Sequence, residues 1–199
     1  MIEKLRITAS RVIVVLLFLL ICFSNRLWEE TVPFVAEILF LIGVFLVGIA
    51  SMGRLWCSLY IAGYKTDTLI TQGPYSMCRN PLYFFSFLGA VGLGFASETL
   101  LIPFLICIAF VVYYPFVIKS EEKELMRLHT CAFDSYVKNV PRFFPKVSLL
   151  QEPHEYVVKP RIFKQHIFSA LWFVWVLGIF EVIEELNVLH ILPTIFSIY

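Results

Sequence analysis

The chain is poor in charge and poor in the patterns that hold metals. Asp, Glu, Lys and Arg make up 16% of its 199 residues, and the formal net charge is +1. Nothing in that balance suggests a basic surface for nucleic acid, and no nucleic-acid partner is expected. The five cysteines, Cys22, Cys57, Cys78, Cys107 and Cys131, stand far apart. There is no C-x-x-C pair and no pair of histidines at helical spacing, so no metal site is expected. Asn-x-Ser/Thr acceptors, internal repeats and low-complexity tracts are absent. The first apolar segment lacks a small-residue cleavage site, and Leu19-Leu20-Ile21 places no small residue before Cys22, as lipidation needs. It reads as an anchor rather than a signal peptide.

Apolar residues are abundant, at 59%, and mean hydropathy is +0.81. They come in blocks that approach the ~20 residues needed to cross a bilayer. The fold class is therefore all-α, a polytopic membrane protein with about five transmembrane helices near 10–27, 33–53, 81–97, 99–118 and 165–183. The segment 188–199 is apolar but short and broken by Pro193; it lies at the interface or turns back into the bundle. With the N-terminus in the cytoplasm, all of the sixteen Lys and Arg except Arg26 fall on the inner side, the positive-inside pattern. The polar stretches 54–80 and 119–164 then both face the cytoplasm. The organisation is a single membrane domain: a helix hairpin at 1–53, a core at 54–146, and a linker with a C-terminal membrane helix at 147–199.

Gly43 and Gly48 in the second span allow close helix approach. Ser97-Glu98-Thr99 is the outer turn of the next hairpin, and Pro103 and Pro115 bend the span after it. That span runs on beyond the membrane as an amphipathic helix carrying Glu121, Glu122 and Glu124. A break near His129–Cys131 and a stop at Pro141 follow. The stretch "GPYSMCRNPLY", Gly73 to Tyr83, crowds rigid and polar residues against the mouth of an apolar run.

Together, "GPYSMCRNPLY" and "EEKEL…AFDSYVKNVPRFFP" resemble the integral-membrane methyltransferases, which include isoprenylcysteine carboxyl methyltransferase and the phospholipid methyltransferases. The family pattern is roughly G-x-Y-x-x-x-R-H-P-x-Y, then E-E-x-x-L, then a segment ending V-P-R-F-x-P. The match covers about Arg54 to Pro145. The resemblance implies S-adenosyl-L-methionine as cofactor, bound at the cytoplasmic side of a bacterial-type inner membrane. It implies a lipid or hydrophobic small molecule as methyl acceptor. Asn80 replaces the family's His; it keeps a hydrogen-bond donor and acceptor but does not titrate near neutral pH. The Arg that precedes the acidic pair in the prenylcysteine enzymes is missing, since Phe116, Val117 and Ile118 occupy that turn.

A sulfonium donor needs an acid near its cationic end, amide groups for its adenine and a dry path for the methyl group. Glu121 is the expected acid, at the first Glu of E-E-x-x-L. Tyr75, Asn80, Pro81, Leu82 and Tyr83 form the expected second wall, with the helix start at Pro81 offering N–H groups to an anion. Thr68, Leu69 and Ile70 lend backbone contacts. Arg79 and Asn80 are positioning groups, Arg79 either meeting a ligand anion or bridging to an acid in 121–124. Arg142 clamps the C-terminal helix. Within the methyltransferase class the acceptor is open between a carboxylate, a phospholipid amine and a thiol. Outside it stand a nicotinamide-dependent membrane reductase and a non-catalytic membrane scaffold.

Overall fold

A computed structural model describes residues 24–26, 32–64, 68–189 and 196–198. Helix dominates it. The long helices are α1 (Pro33–Ile61), α3 (Pro81–Ala96), α4 (Leu101–Leu128) and α6 (Pro160–Val188). Between them lie two shorter helices, α2 (Pro74–Met77) and α5 (Thr130–Asn139), and a 3-10 turn at Val147–Leu149. Among the described residues two three-residue strands occur, β1 (Ser24–Arg26) and β2 (Phe196–Ile198), paired in parallel. Pro33, Pro74, Pro81 and Pro160 each open a helix, where a missing N–H breaks no intrahelical bond.

Helices α1, α4 and α6 are each long and apolar enough to cross a membrane, and α3 is a shorter apolar helix. The chain is an integral membrane protein. Most of the span predicted at 10–27 lies outside the described residues, and its last part, Ser24–Arg26, is a strand rather than helix. Of the segment 188–199, Phe196–Ile198 is a strand that pairs in parallel with Ser24–Arg26.

Three sequence expectations are corrected. Helix α1 does not stop at 53 but continues to Ile61, so the connection to α3 is shorter than predicted and Arg54 lies inside a helix. The Ser97-Glu98-Thr99 turn lies between α3 and α4, as expected, and is buried: Thr99 fully, and Glu98 7% exposed. Helix α3, with 16 residues, is about 24 Å long and shorter than the ~30 Å apolar core. Its end therefore stays within the protein, where the Ser97 hydroxyl donates to the Gly94 carbonyl at 2.7 Å. Pro103 falls in the first turn of α4, where no ladder bond is lost; only Pro115 is internal. Gly48 meets nothing within 4 Å, so it is not a packing glycine.

Gly43 is one. A Cβ there would strike the α3 backbone at Ala96 and the Gly92 carbonyl, so α1 and α3 approach backbone to backbone. Against this pair α4 and α6 close a core of Val47, Leu93, Ile102, Phe173 and Phe180. Nearer the Gly73–Pro81 end, Cys57, Tyr60, Tyr75 and Phe85 form a second core. As expected, the helix carrying the acids breaks at His129, and α5 stops ahead of Pro141.

Candidate functional site

The stretch from Gly73 to Cys78 is buried throughout. Gly73 has φ +57°, a left-handed conformation that a side chain would strain, and its missing Cβ leaves room for the Tyr60 ring. Tertiary bonds hold the stretch down. The Gly73 N–H donates to the Gln151 carbonyl at 2.8 Å, the Arg79 N–H to Pro141 at 2.8 Å, and the Lys146 N–H to Met77 at 3.0 Å. The Tyr136 hydroxyl donates to the Tyr75 carbonyl at 2.6 Å. The segment after α5 thus straps over the turn and the start of α3. Further along, Tyr156 donates to the Tyr60 carbonyl, and Lys159 bonds the Gly63 carbonyl while lying over the Tyr64 ring.

The three acids at the end of α4 have three different partners. Glu122 is buried and is the hub of a polar cluster. Arg142 donates to one of its oxygens at 2.7 and 3.0 Å, while Arg79 at 3.3 Å and the Asn80 amide at 3.3 Å reach the other. Glu124 is exposed and pairs with Arg127 on its own helix. Glu121 accepts the Tyr83 hydroxyl at 2.7 Å, and among the described residues no cation pairs with it.

Tyr75 completes the picture. Its hydroxyl is buried and has no hydrogen-bond partner among the described residues. Burial raises its pKa well above the ordinary phenol value, with the nearby Cys57, Tyr136, Cys78 and Glu121 adding to the effect. Glu121 is therefore within electrostatic reach of an unpaired buried donor. An uncompensated carboxylate beside an unmade hydrogen bond is an arrangement that a cationic, polar ligand would satisfy.

The remaining predicted residues divide. Ile70 and Leu82 pack against the second core, and Pro81 is buried at the first position of α3. Among the described residues, the main-chain groups of Leu69 and Ile70 make no backbone hydrogen bond, which leaves that edge available; Thr68 is exposed, and its N–H bonds back to Tyr64 at 3.4 Å. The Asn80 amide is engaged inside the protein, donating to Glu122 and to the Arg142 carbonyl at 2.9 Å. Arg79 and Asn80 are thus turned toward Glu122 rather than Glu121. The start of α3 offers fewer free donors than the sequence suggests. Pro81 has no N–H, and those of Tyr83 and Phe84 both return to the Asn80 carbonyl.

Two neighbours were missed from sequence. Tyr114 packs edge-on against Tyr83 with ring centroids 5.3 Å apart, and stacks on Phe110 at 3.8 Å. Phe143, from the strap, meets Phe84, Phe87 and Phe110, so rings from α3, α4 and the strap pack into one aromatic wall. Only the seven-residue spacing of Tyr114 and Glu121 hinted at a shared helix face.

The family described as phospholipid methyltransferase matches residues 31–129. The chain is 36% identical over 189 residues to the nickel-cobalt-cadmium resistance protein NccN of Alcaligenes xylosoxydans xylosoxydans, covering 95% of this chain and 87% of that one. It is 37% identical over 185 residues to the cobalt-zinc-cadmium resistance protein CzcN of Cupriavidus metallidurans, covering 93% and 83%. No solved structure matches.

Proposed function

The chain belongs to the phospholipid methyltransferase family, and from that premise we propose that it transfers a methyl group from S-adenosyl-L-methionine to a hydrophobic acceptor drawn from the bilayer. The observation that carries the reading is Glu121, a carboxylate with a tyrosine partner and no cation, beside the unpartnered buried hydroxyl of Tyr75.

Glu121 and Tyr83 would hold the cationic end of the cofactor. A carboxylate at the membrane edge attracts a cation more strongly than one in bulk water, because the local dielectric is lower. Tyr75 would donate its hydroxyl proton to a polar group of the same ligand. The free main-chain edge at Leu69–Ile70 would pair with the adenine. Arg79, Asn80 and Arg142 act one step away: they hold Glu122 still, and through α4 they fix the direction of Glu121. When bound, the cofactor supplies a methyl group whose bond to sulfur breaks as a bond to the acceptor heteroatom forms, leaving a neutral thioether.

The chain's contribution to such a displacement is alignment and exclusion of water. The aromatic wall of Tyr83, Phe87, Phe110, Tyr114 and Phe143 serves the second of these. Asn80 in place of a titrating side chain fits a reaction whose acceptor needs no protein base. The active site would face the cytoplasm, the side on which the basic residues collect.

The two relatives are named for metal resistance. No group of three or more metal-ligating side chains occurs among the described residues. A part in metal resistance would then run through methylation of a membrane component. The test is to incubate membranes holding the protein with radiolabelled S-adenosylmethionine and extract them. Label in a lipid or hydrophobic fraction, lost in Glu121→Gln, is expected. No label in any fraction, with wild type and variant alike in phenotype, would mean a scaffold.

A further inference from the structure

Arg54 lies inside α1, about two turns before the end at Ile61. It bridges three helices. One guanidinium nitrogen donates to the Ser86 hydroxyl on α3; another donates to the Ser169 carbonyl at 2.9 Å and its hydroxyl at 3.1 Å on α6. The Phe173 ring lies 5.5 Å from the guanidinium carbon. Among the described residues the buried Nε hydrogen has no partner and no carboxylate pairs with Arg54. Neutral oxygens orient a guanidinium without neutralising it. A cation left so within a membrane-spanning helix marks a place where an anion is received.

Its surroundings say where that anion comes from. Tyr114 and Tyr75 are close enough to interact with its charge. Tyr114 packs on Tyr83, whose hydroxyl bonds Glu121. Tyr75, Tyr83 and Tyr114 thus link two opposite charges, Arg54 and Glu121, neither of which has an oppositely charged partner among the described residues. Glu121 suits the donor's cation. Tyr114 lies about two turns before Glu121 on α4, and the Ser169 that Arg54 grips is exposed on the bundle surface.

We propose that Arg54 binds the anionic head of the methyl acceptor, a carboxylate or phosphate on an apolar tail that reaches it from the bilayer. This rests on the methyltransferase reading and narrows it: the acceptor is an anionic amphiphile. The donor's own carboxylate shares this chemistry, so the test separates the two sources.

The full-length protein in phosphatidylcholine nanodiscs provides the assay. Trp56, Trp172 and Trp175 lie near Arg54 and Phe173 in sequence and report contact with brominated lipid through fluorescence quenching. Brominated phosphatidic acid and brominated stearate are compared with brominated phosphatidylcholine, and S-adenosylhomocysteine affinity is measured on the same samples. Wild type should prefer one of the anionic lipids by about tenfold, the worth of one charge-assisted hydrogen bond. Arg54→Gln should fall to near parity while keeping its S-adenosylhomocysteine affinity. Arg54→Lys, which keeps the charge but loses the fork, should fall several-fold and serves if the Gln variant does not fold. An anionic preference unchanged in these variants overturns the proposal. So does a loss of S-adenosylhomocysteine affinity with lipid preference intact, which would assign Arg54 to the donor. Wild type that binds no S-adenosylhomocysteine would overturn the methyltransferase reading alone, since the lipid arm reads Arg54 independently of it.

Discussion

The hydroxyl of Tyr83 donates to the Glu121 carboxylate at 2.7 Å across thirty-eight residues of sequence. This bond joins the start of α3 to the far end of α4 and brings the Gly73–Tyr83 turn against the acidic end of α4. One residue further along, Glu122 takes up Arg79, Asn80 and Arg142. Adjacent acids on one helix thus serve different ends: Glu122 fastens the strap, and Glu121 has no cationic partner among the described residues.

Glu121→Gln should weaken S-adenosylhomocysteine binding about tenfold or more, since a hydrogen bond to a charged group contributes about 1.5–3 kcal/mol. Tyr83→Phe should cost less, about threefold. Neither change should move the thermal midpoint by more than a degree or two, on the order expected of a half-buried substitution. Titration calorimetry in detergent gives both affinities; values equal to wild type in both variants would remove Glu121 from the cofactor site.

Glu122→Gln should act on stability instead. Removing one member of a buried, multiply bonded ion cluster leaves Arg79 without its counterion, and such losses run to about 3 kcal/mol. Glu124→Gln, at an exposed pair within one helix, should change stability by less than about 0.5 kcal/mol. Denaturation of the two variants side by side checks the ranking, and equal effects would contradict it.

Gly43→Ala should loosen the α1–α3 contact and cost about 1–3 kcal/mol, because the new methyl group meets the α3 backbone, which cannot move aside. Gly48→Ala meets open space and should be neutral or slightly stabilising through helix propensity. A milder effect at 43 than at 48 would mean that the helices do not meet as described.

Alkaline pH should destabilise the fold around the strap. Burial pushes the Cys78 thiol up from 9.0 to about 12, with an opposing backbone hydrogen bond at Asn80 too weak to offset it, and burial likewise raises the Tyr75 and Tyr136 phenols. The unfolded chain releases these protons first. The contribution is therefore fully present below about pH 9, the thiol's ordinary value, and is lost as pH rises toward 12. The thermal midpoint should be flat between pH 7 and 9 on account of these groups and fall above it. At pH 8 a maleimide should label exposed Cys131 and spare Cys78; labelling of both at equal rates would sink the burial argument.

Apolar blocks, proline starts and the two motif stretches are local information, and they were enough to establish a helical membrane protein, the helix starts at Pro33 and Pro81, the break at His129 and the family. What a helix faces is not local. Glu121 and Glu122 differ by about 100° around α4, and only the approach of the strap decided that Glu122 would be the buried one. Whether Gly43 or Gly48 packs depends on where α3 crosses α1. Arg54 reads as a loop residue if hydropathy alone ends the helix at 53; the helix continues because its polar last turns find partners in α3, α6 and the strap. Chain composition set which segments leave water, whereas the neighbours each segment met set which charges were paired and which stayed open for a ligand.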